Sequence, residues 1–374
     1  MNTKMRTWIE VDTEALISNL KLAKSLCAGK KVMCVIKGDA HGHGAVKCAQ
    51  VLEENGADAF AVACLSEGIE LRKSGSRLPI LLLGWTPAEN AAEIARFDLT
   101  QSVLDGEYAA ELDHALEGTG LTLSVHAKLD TGMSRTGIMA QSDPDAAAEE
   151  IIGIAARKNL KLTGLFTHYA AADMPEKDDF TAWQLANYRA VLSSLEKRGF
   201  DAPVVRHTGN SASILYHPET YFDMVRMGVM MYGLYPNGIY DPDGPLHPIL
   251  ALKSRVAQVK TLPAGAHISY GCTAEVSEPT RIAVVACGYA DAYPRTLSNR
   301  GAYAVINGVR CAQLGRVCMD MTMFAIGDAD VKRGDEVILY GKGGMPMEEI
   351  AALCGSINCE PLTLLTRRVE KIYL

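Results

Sequence analysis

The sequence predicts a (β/α)8 barrel followed by a mainly β domain, and three observations support this fold class. Short apolar runs alternate with helical stretches from Lys31 to Tyr235, a pattern typical of a parallel sheet with crossover helices. The apolar runs number eight, which favours a closed barrel over the alternative of a doubly wound open sheet. Beyond about residue 248 strand-like runs dominate and helices are few, which indicates a separate β domain.

Each of the eight runs is short and mainly apolar, as expected of a strand that is buried on both faces. In order they are KVMCVI (31–36), AFAVA (59–63), PILLL (79–83), LTQSVL (99–104), LTLSVHAK (121–128), KLTGLF (161–166), APVVR (202–206) and DMVRMG (223–228). Intervening stretches such as 146–159 and 181–199 carry apolar residues three and four positions apart, which predicts helices.

The border between the two domains is predicted at PNGIYDPDGPLHP (236–248), because Pro, Gly and Asp together are typical of a linker. We therefore expect the barrel in residues 1–240 and the β domain in 241–374, with the first residues pairing with the β domain. The predicted strands of this second domain are ILALKSRVAQVK (249–260), RIAVVA (281–286), AYAVI (302–306), VCMDMTMFAI (317–326) and DEVILY (335–340).

The bulk composition restricts the classes of function. The chain has 374 residues, 48% hydrophobic and 22% charged, as in a globular protein large enough for two domains. The net charge of −7 argues against nucleic acid as a partner and against a polybasic membrane contact. Ten scattered cysteines without a CxxC pair indicate reduced thiols. With no signal-peptide core and no membrane-spanning run, we expect a cytoplasmic protein, or the cytoplasmic domain of a membrane-anchored one.

Candidate functional residues follow the predicted strands, since the carboxyl ends of barrel strands carry the active site. Lys37 comes directly after KVMCVI and before a glycine-rich turn, where a barrel enzyme would place a Schiff-base amine. Asn210 or Ser211 can cap a helix that follows a late strand, which predicts a phosphate site. The further candidates at this end are Leu83, Lys128, Asp130, Arg135, His168, the segment RHTGNS (206–211), Arg226 and Gly228. So many cations on one face imply an anionic ligand.

Eight motifs carry a resemblance to a known family. In order they are VIKGDAHGHG, KLDTGMSRTG, THYAAAD, NSAS, MVRMG, SYGCT, GYADAYPR and GRVCMD. As a set they resemble the alanine racemase family over nearly the whole chain. The resemblance implies a (β/α)8 barrel that binds pyridoxal 5′-phosphate, a C-terminal β domain, and a homodimer with shared active sites. The expected substrate is a small amino acid, racemised to supply D-amino acids for cell-wall precursors.

The resemblance also implies roles for individual residues. Lys37 matches the lysine that forms the Schiff base, and Tyr270 matches the opposing base, donated by the partner subunit. Arg226 matches the arginine that faces the pyridine nitrogen, and His168 links that arginine to the tyrosine. The other cofactor contacts implied are Leu83, Asn210, Ser211, Gly228 and Val229. The remaining implied residues are Arg135 and Met319 for the substrate carboxylate, Lys128 as a carbamylated lysine that positions Arg135, and Asp173, Tyr289 and Arg295 along the access corridor.

Two positions depart from the family pattern. His41 stands where the family has a tyrosine that contacts the phosphate. Cys359, in INCE, stands where the family has a second tyrosine, which touches the phosphate and walls the substrate pocket. Its loss leaves room for a hydroxymethyl side chain, with Asn358 as a polar neighbour, so serine joins alanine as an expected substrate. In this the chain is similar to the serine and alanine racemases of vancomycin-resistance clusters, which carry a membrane domain before the racemase domain.

Two other functions are alternatives to racemisation. A basic amino-acid decarboxylase of the same fold would not pair Lys37 with Tyr270 or carry the Arg226 motif. A non-catalytic pyridoxal-phosphate carrier would need neither the second domain nor an opposing base. His41 and His43 lie two positions apart, but no accompanying carboxylate or cysteine pattern indicates a metal site.

Overall fold

The computed structural model of the chain describes residues 5–365 and 368–374. The strands are β1 (Thr7–Val11), β2 (Lys31–Val35), β3 (Ala59–Val62), β4 (Ile80–Leu82), β5 (Thr100–Val103), β6 (Leu123–Asp130), β7 (Ile138–Met139), β8 (Leu160–Phe166), β9 (Val205–His207), β10 (Met224–Met227), β11 (Leu250–Leu262), β12 (His267–Ile268), β13 (Ala274–Glu275), β14 (Thr280–Val285), β15 (Tyr303–Ile306), β16 (Val309–Leu314), β17 (Thr322–Ala325), β18 (Glu336–Gly341) and β19 (Glu370–Tyr373).

The right-handed helices are α1 (Thr13–Leu26), α2 (Ala45–Glu54), α3 (Leu65–Lys73), α4 (Ala91–Arg96), α5 (Gly106–Ala115), α6 (Pro144–Ala155), α7 (Asp178–Lys197), α8 (Ser211–Tyr216), α9 (Met347–Cys354) and α10 (Glu360–Thr363). None of the helices within residues 5–365 and 368–374 combines the length and the apolar character needed to cross a bilayer.

The chain divides into two compact units. The first, which we call the barrel unit, comprises Leu20–Ala40 and Ala45–Met231. The second, the β unit, comprises Met1–Asn19, His41–Gly44 and Tyr232–Leu374. The chain therefore leaves the barrel unit for four residues after Ala40 and then returns to it.

The barrel unit is a closed ring of eight parallel strands in the order β2, β3, β4, β5, β6, β8, β9 and β10, with β10 pairing back to β2. Each of the eight predicted runs overlaps one of these strands. The closed ring confirms the predicted (β/α)8 barrel and excludes the open sheet, because an open sheet would leave β2 and β10 unpaired with each other.

Alternation along the strands fills the barrel interior. Residues two apart on a strand share a face, so Met33 and Val35 of β2 join Ala59 and Ala61 of β3 in one apolar cluster. Small residues on β3 opposite large ones on β2 allow the layers to interdigitate. This packing makes the interior a core and leaves only the strand ends for chemistry.

The β unit is built around an antiparallel ring of β11, β14, β17, β16, β15 and β18, which closes because the long β11 pairs with both β14 and β18. At the other end of the chain β1 pairs with β11, and β19 pairs with β1. The mainly β second domain is thereby confirmed.

The strand predicted over 317–326 is wrong in its first half, since β17 covers only Thr322–Ala325. The carbonyls of Cys318 and Met319 accept the N–H groups of Tyr289 and Ala290, both at 3.0 Å. These carbonyls are used by a neighbouring turn, so no ladder forms there despite the apolar sequence.

Candidate active site

Most of the predicted site residues lie at the carboxyl ends of the barrel strands. They are Lys37 and Leu83 after β2 and β4, Lys128 in β6, Arg135 beyond β6, His168 after β8, Asn210 and Ser211 after β9, Arg226 in β10, and Gly228 and Val229 after it. The charges of Arg226, Arg135 and Lys128, and more weakly that of Lys37, all act on His168. The fold therefore gathers side chains that are up to 190 positions apart into one cationic cluster (226 − 37 = 189).

Arg226 is the buried centre of this cluster, with 4% of its surface exposed. Its guanidinium donates to the backbone oxygens of Thr167 and His207, both at 2.7 Å, and of Thr208 at 3.0 Å. Burial lowers the pKa of Arg226 to about 10, so the group stays protonated at neutral pH. Among the described residues no carboxylate lies within 4.0 Å of it, so its charge is compensated only by dipoles.

Two histidines flank the Arg226 guanidinium. One terminal nitrogen lies 3.2 Å from Nδ1 of His168 and the other lies 3.2 Å from Nδ1 of His207. Since an arginine has only donors, both Nδ1 atoms accept, and both neutral rings carry their proton on Nε2. His207 Nε2 then donates to Nδ1 of His126 at 2.9 Å. The result is a directed chain of donors from Arg226 inward to His126 and outward to the Nε2 proton of His168.

The three imidazoles are neutral because of their surroundings. Burial, followed by the Arg226 charge, lowers the pKa of His126 to about 4. Burial and then the Arg226 charge are also the main causes that hold the pKa of His168 well below its usual range. Burial and the neighbouring His126 do so for His207. Neutral rings orient Arg226 without adding further positive charge to the cluster.

Lys128 is a buried amine beside the cluster. Burial, with Arg135 and then Arg226 nearby, lowers its pKa to about 8. The ammonium donates to the hydroxyl of Thr136, and no described carboxylate lies within 4.0 Å of its Nζ. A substantial fraction of this amine is therefore neutral and nucleophilic near physiological pH.

The loops after β9 and β10 lie at the same end of the barrel as the cationic cluster. Asn210 caps α8, its Oδ1 accepting the N–H of Ser213 at 3.0 Å. The hydroxyl of Ser211 accepts the Gly228 N–H at 2.8 Å, which ties the two loops together. A Cβ at position 228 would lie 3.4 Å from that hydroxyl. The glycine thus allows the two loops to approach closely, and in this arrangement the Gly228 N–H is bonded to Ser211.

Lys37 lies at the start of a left-handed turn. Gly38, Asp39 and Ala40 have φ of 65°, 53° and 54°, a region that non-glycine residues adopt at a cost of about 1–2 kcal/mol each. The Ala40 N–H donates to the Ile36 oxygen at 2.9 Å, and Asp39 Oδ1 accepts the Ala45 N–H at 2.8 Å. Lys37 itself is exposed, as a reactive amine at a strand end has to be.

The remaining predicted residues belong to the β unit. Tyr270 and Met319 are 67% and 51% exposed, so neither is part of the core of its own unit. Asn358 is buried, and its amide nitrogen donates to the Tyr235 oxygen at 2.8 Å. Cys359 is the N-cap of α10 and is partly exposed. Asn358 is thus already used as a donor within the unit, and its role toward substrate stays a prediction.

His41 and His43 pack on one aromatic side chain of the β unit. The His43 ring stacks on Tyr232 with centroids 4.4 Å apart, and His41 Nδ1 lies 3.3 Å from the Tyr232 hydroxyl. Over the part of the chain that the structure describes, no group of three His, Cys, Asp or Glu side chains could hold a metal. Of the corridor residues, Tyr289 and Arg295 are exposed in the β unit and Asp173 is partly exposed in the barrel unit.

The sequence interpretation missed His126, and it included His207 only as part of the segment RHTGNS, without a role of its own. A signal for both exists in strand alternation, because residues two apart share a face. His126 is two residues before Lys128 on β6. His207 follows Arg206, whose guanidinium pairs with Asp223 at 2.8 Å on the outside, so His207 has to point inward.

The donor set fits a phosphorylated aldehyde. Lys37, Lys128, Arg135 and Arg226 supply positive charge, and no described carboxylate lies within 4.0 Å of any of their charged nitrogens. The Gly228 and Ser211 loops supply backbone and hydroxyl groups for a phosphate, and Lys37 supplies an amine for an aldehyde.

Comparison with known sequences gives the same result over the whole chain. Residues 11–236 match the alanine racemase N-terminal domain, and residues 249–373 match the alanine racemase C-terminal domain. The chain is 42% identical over 373 residues to the alanine racemase of Carboxydothermus hydrogenoformans, covering 98% of this chain and 99% of the relative. It is 40% identical over 370 residues to that of Desulforamulus reducens, covering 98% of both.

Solved structures agree with the sequences. An alanine racemase of Clostridium difficile 630 superposes with a TM-score of 0.92 at 37% identity, covering 99% of this chain and 96% of that one. The alanine racemase of Bacillus anthracis with bound L-Ala-P gives 0.90 at 34% identity, covering 99% and 95%. The family depends on pyridoxal 5′-phosphate, which the donor set fits. On both domains and over its full length, the chain belongs to the alanine racemase family.

Proposed function

We propose that this protein interconverts L- and D-alanine with pyridoxal 5′-phosphate, and that Lys37 holds the cofactor covalently. The observation that carries the proposal is the cluster around Arg226, a buried guanidinium held by backbone oxygens and neutral histidines with no described carboxylate within 4.0 Å. Such a site favours a bound anion, and the amine of Lys37 lies at the same end of the barrel.

Arg226 would face the pyridine nitrogen of the cofactor. When bound, pyridoxal phosphate withdraws electrons from the substrate Cα and makes its proton acidic. With a pKa near 10 the guanidinium donates a hydrogen bond without giving up its proton. Arg226 would thereby limit the electron withdrawal and favour return of the proton to Cα over transamination.

Two bases on opposite faces of Cα are needed, since one side chain cannot reach both. We assign them to Lys37 and to Tyr270 of the partner subunit. His168 supports the tyrosine assignment, because its Nδ1 accepts from Arg226 and its Nε2 proton is left to point away from it. A hydrogen bond from that proton would stabilise the phenolate form in which Tyr270 acts as a base.

The placement of these residues supports a homodimer with shared sites. Tyr270 and Met319 lie in the β unit with most of their surface exposed. Both side chains are therefore accessible to a second subunit. We therefore assign Tyr270 and Met319 of one subunit to the barrel of the other, with Arg135 and the Met319 backbone binding the substrate carboxylate.

Lys128 would carry a carbamate. Its lowered pKa leaves a nucleophilic amine that can add carbon dioxide, and the product replaces a cation by an anion beside Arg135 and Arg226. An anion there would orient Arg135. Incubation with ¹³C-bicarbonate should give one carbamate carbon resonance that is absent in Lys128→Met, whereas the same resonance in that variant would place the modification elsewhere.

The test of the proposed function is a chiral assay of the purified protein with each enantiomer of alanine and serine. Interconversion is expected for wild type and for Lys47→Ala, a partly exposed lysine on α2, and loss is expected for Lys37→Ala. Borohydride followed by peptide mapping should label Lys37. Cofactor binding without interconversion would favour a carrier, and carbon dioxide release from a basic amino acid would favour a decarboxylase.

We also propose that serine is a substrate, because Cys359 stands where the family has a tyrosine. Overpacking a pocket costs about 1–3 kcal/mol, and each 1.4 kcal/mol is about tenfold in rate. Cys359→Tyr should therefore lower kcat/KM for serine relative to alanine by roughly ten- to a hundredfold. Cys354→Ala, on α9, is the control for loss of a thiol. An unchanged ratio in Cys359→Tyr would show that this residue does not face the substrate.

A further inference from the structure

The turn that carries Lys37 is held by a carboxylate from the neighbouring strand's helix. Gly38 is the residue directly after Lys37, and its N–H donates to Oε1 of Glu67 at 2.6 Å. The other carboxylate oxygen of Glu67 accepts the Ala63 N–H at 2.7 Å. Glu67 lies in the first turn of α3 and Ala63 directly follows β3, so one side chain joins the ends of two adjacent strands.

This clamp acts where the backbone is most strained. Gly38 opens the left-handed turn, and Asp39 and Ala40 continue it with positive φ. Conformations of this kind persist only where the surroundings fix them. The β2–β3 pairing ends at Val35 and Ala61, so the sheet does not reach Lys37. Directly after this pairing, the Ile36 N–H donates to the Ala61 oxygen at 2.9 Å. Two residues further on, the Glu67 carboxylate binds the Gly38 N–H.

A charged acceptor suits this position for two reasons. A carboxylate can accept from two N–H groups at once, whereas an amide side chain offers one oxygen and an NH2 group that would face a donor. Hydrogen bonds to an ionised acceptor are also about twice as strong as neutral ones. The short distances of 2.6 and 2.7 Å are of the charge-assisted kind.

We propose that Glu67 is a positioning residue for Lys37: it fixes the strained turn so that the amine is held in one orientation toward the cofactor. This rests on the proposed role of Lys37. Glu67 touches neither substrate nor cofactor in this account and acts on Lys37 through the Gly38 N–H, while its second oxygen binds the Ala63 N–H. Its loss should therefore move Lys37 without unfolding the barrel.

The test compares Glu67→Gln with Glu70→Gln, which lies on the same helix, is exposed, and makes no side-chain contact with the turn in the described structure. Hydrogen–deuterium exchange of the full-length protein should be roughly ten- to a hundredfold faster at Gly38 in Glu67→Gln, as expected for a lost charge-assisted bond. Glu70→Gln should exchange like wild type. Thermal unfolding of both variants should match wild type within a few degrees, about the shift that a loss of 1 kcal/mol produces.

Borohydride trapping separates the inference from the proposed function. If Lys37 is the cofactor lysine, its labelled fraction should fall in Glu67→Gln, and kcat should fall more than KM changes. Suppose that wild type is labelled at Lys37, and that Glu67→Gln shows the wild-type exchange rate at Gly38 and the wild-type labelled fraction at Lys37. That result would overturn the positioning role of Glu67 but not the role of Lys37. Wild-type labelling at a different lysine would overturn the role of Lys37, and the positioning role with it.

Discussion

Replacing Gly164 by alanine should destabilise the barrel and disturb the site from behind. Gly164 on β8 pairs with His126 on β6, and the His126 ring lies over it. A Cβ at position 164 would come within 2.6 Å of three ring atoms of His126. An ordinary contact begins at 3.4 Å, so the ring has to move by about 0.8 Å, the difference between these two distances. A shift of that size can break the 2.9 Å hydrogen bond that His207 donates to His126.

The expected loss of stability can be summed from three contributions. Overpacking costs about 1–3 kcal/mol, and the lost imidazole bond about 0.5–1.5 kcal/mol. Alanine restricts the unfolded chain more than glycine does, which returns about 0.4–1 kcal/mol. The net destabilisation is roughly 0.5–4 kcal/mol, with its centre near 2 kcal/mol.

The matched control is Gly153→Ala on α6. Gly153 is exposed, has no positive φ, and a Cβ there meets nothing within 4 Å, so alanine should stabilise the helix by about 0.4–1 kcal/mol. Urea unfolding of both variants beside wild type should shift the midpoints in opposite directions. The racemase rate should fall only in Gly164→Ala, because His207 and then Arg226 lose their support. A Gly164→Ala protein as stable as Gly153→Ala would refute the packing argument.

Three further predictions concern the cluster and its partner. Burial lowers the pKa of Lys128 to about 8, against 10.5 for an ordinary lysine. Between these two pH values the unfolded chain binds more protons than the folded one, so the free energy of unfolding rises with pH. Lys128→Met should flatten this rise when it is measured in buffer free of carbon dioxide. Mixed Lys37→Ala and Tyr270→Phe subunits should regain activity if the sites are shared, and no recovery despite proven subunit exchange would count against sharing. Solvent deuterium should enter Cα of L-alanine more slowly than of D-alanine in Tyr270→Phe, while equal slowing would leave the assignment of the bases unsupported.

The fold was predictable where one physical requirement dominates the residue type. A strand buried on both faces has to be apolar throughout, so runs such as KVMCVI and PILLL identify barrel strands. The same rule fails at 317–326, where the apolar sequence continues through a turn. There the carbonyls of Cys318 and Met319 accept hydrogen bonds from a turn at Tyr289 that is adjacent in space. This turn is about 30 positions away in the sequence (318 − 289 = 29), so no local sequence pattern predicts the contact.

The residues of the candidate site also differ in how far the sequence predicts them. Residues that meet the ligand are restricted by its chemistry, since an anion needs arginine or lysine and an aldehyde needs an amine, and so Lys37 and Arg226 can be chosen from sequence. The groups that hold them are restricted only by distance. Any acceptor in reach can bind the Gly38 N–H, and nothing in the letters around Glu67 distinguishes it from Glu70, one turn further along α3. The two glutamates differ only in the folded barrel, where β2 and β3 end side by side. There the Glu67 carboxylate lies 2.6 Å from the Gly38 nitrogen, whereas Glu70 is exposed to solvent.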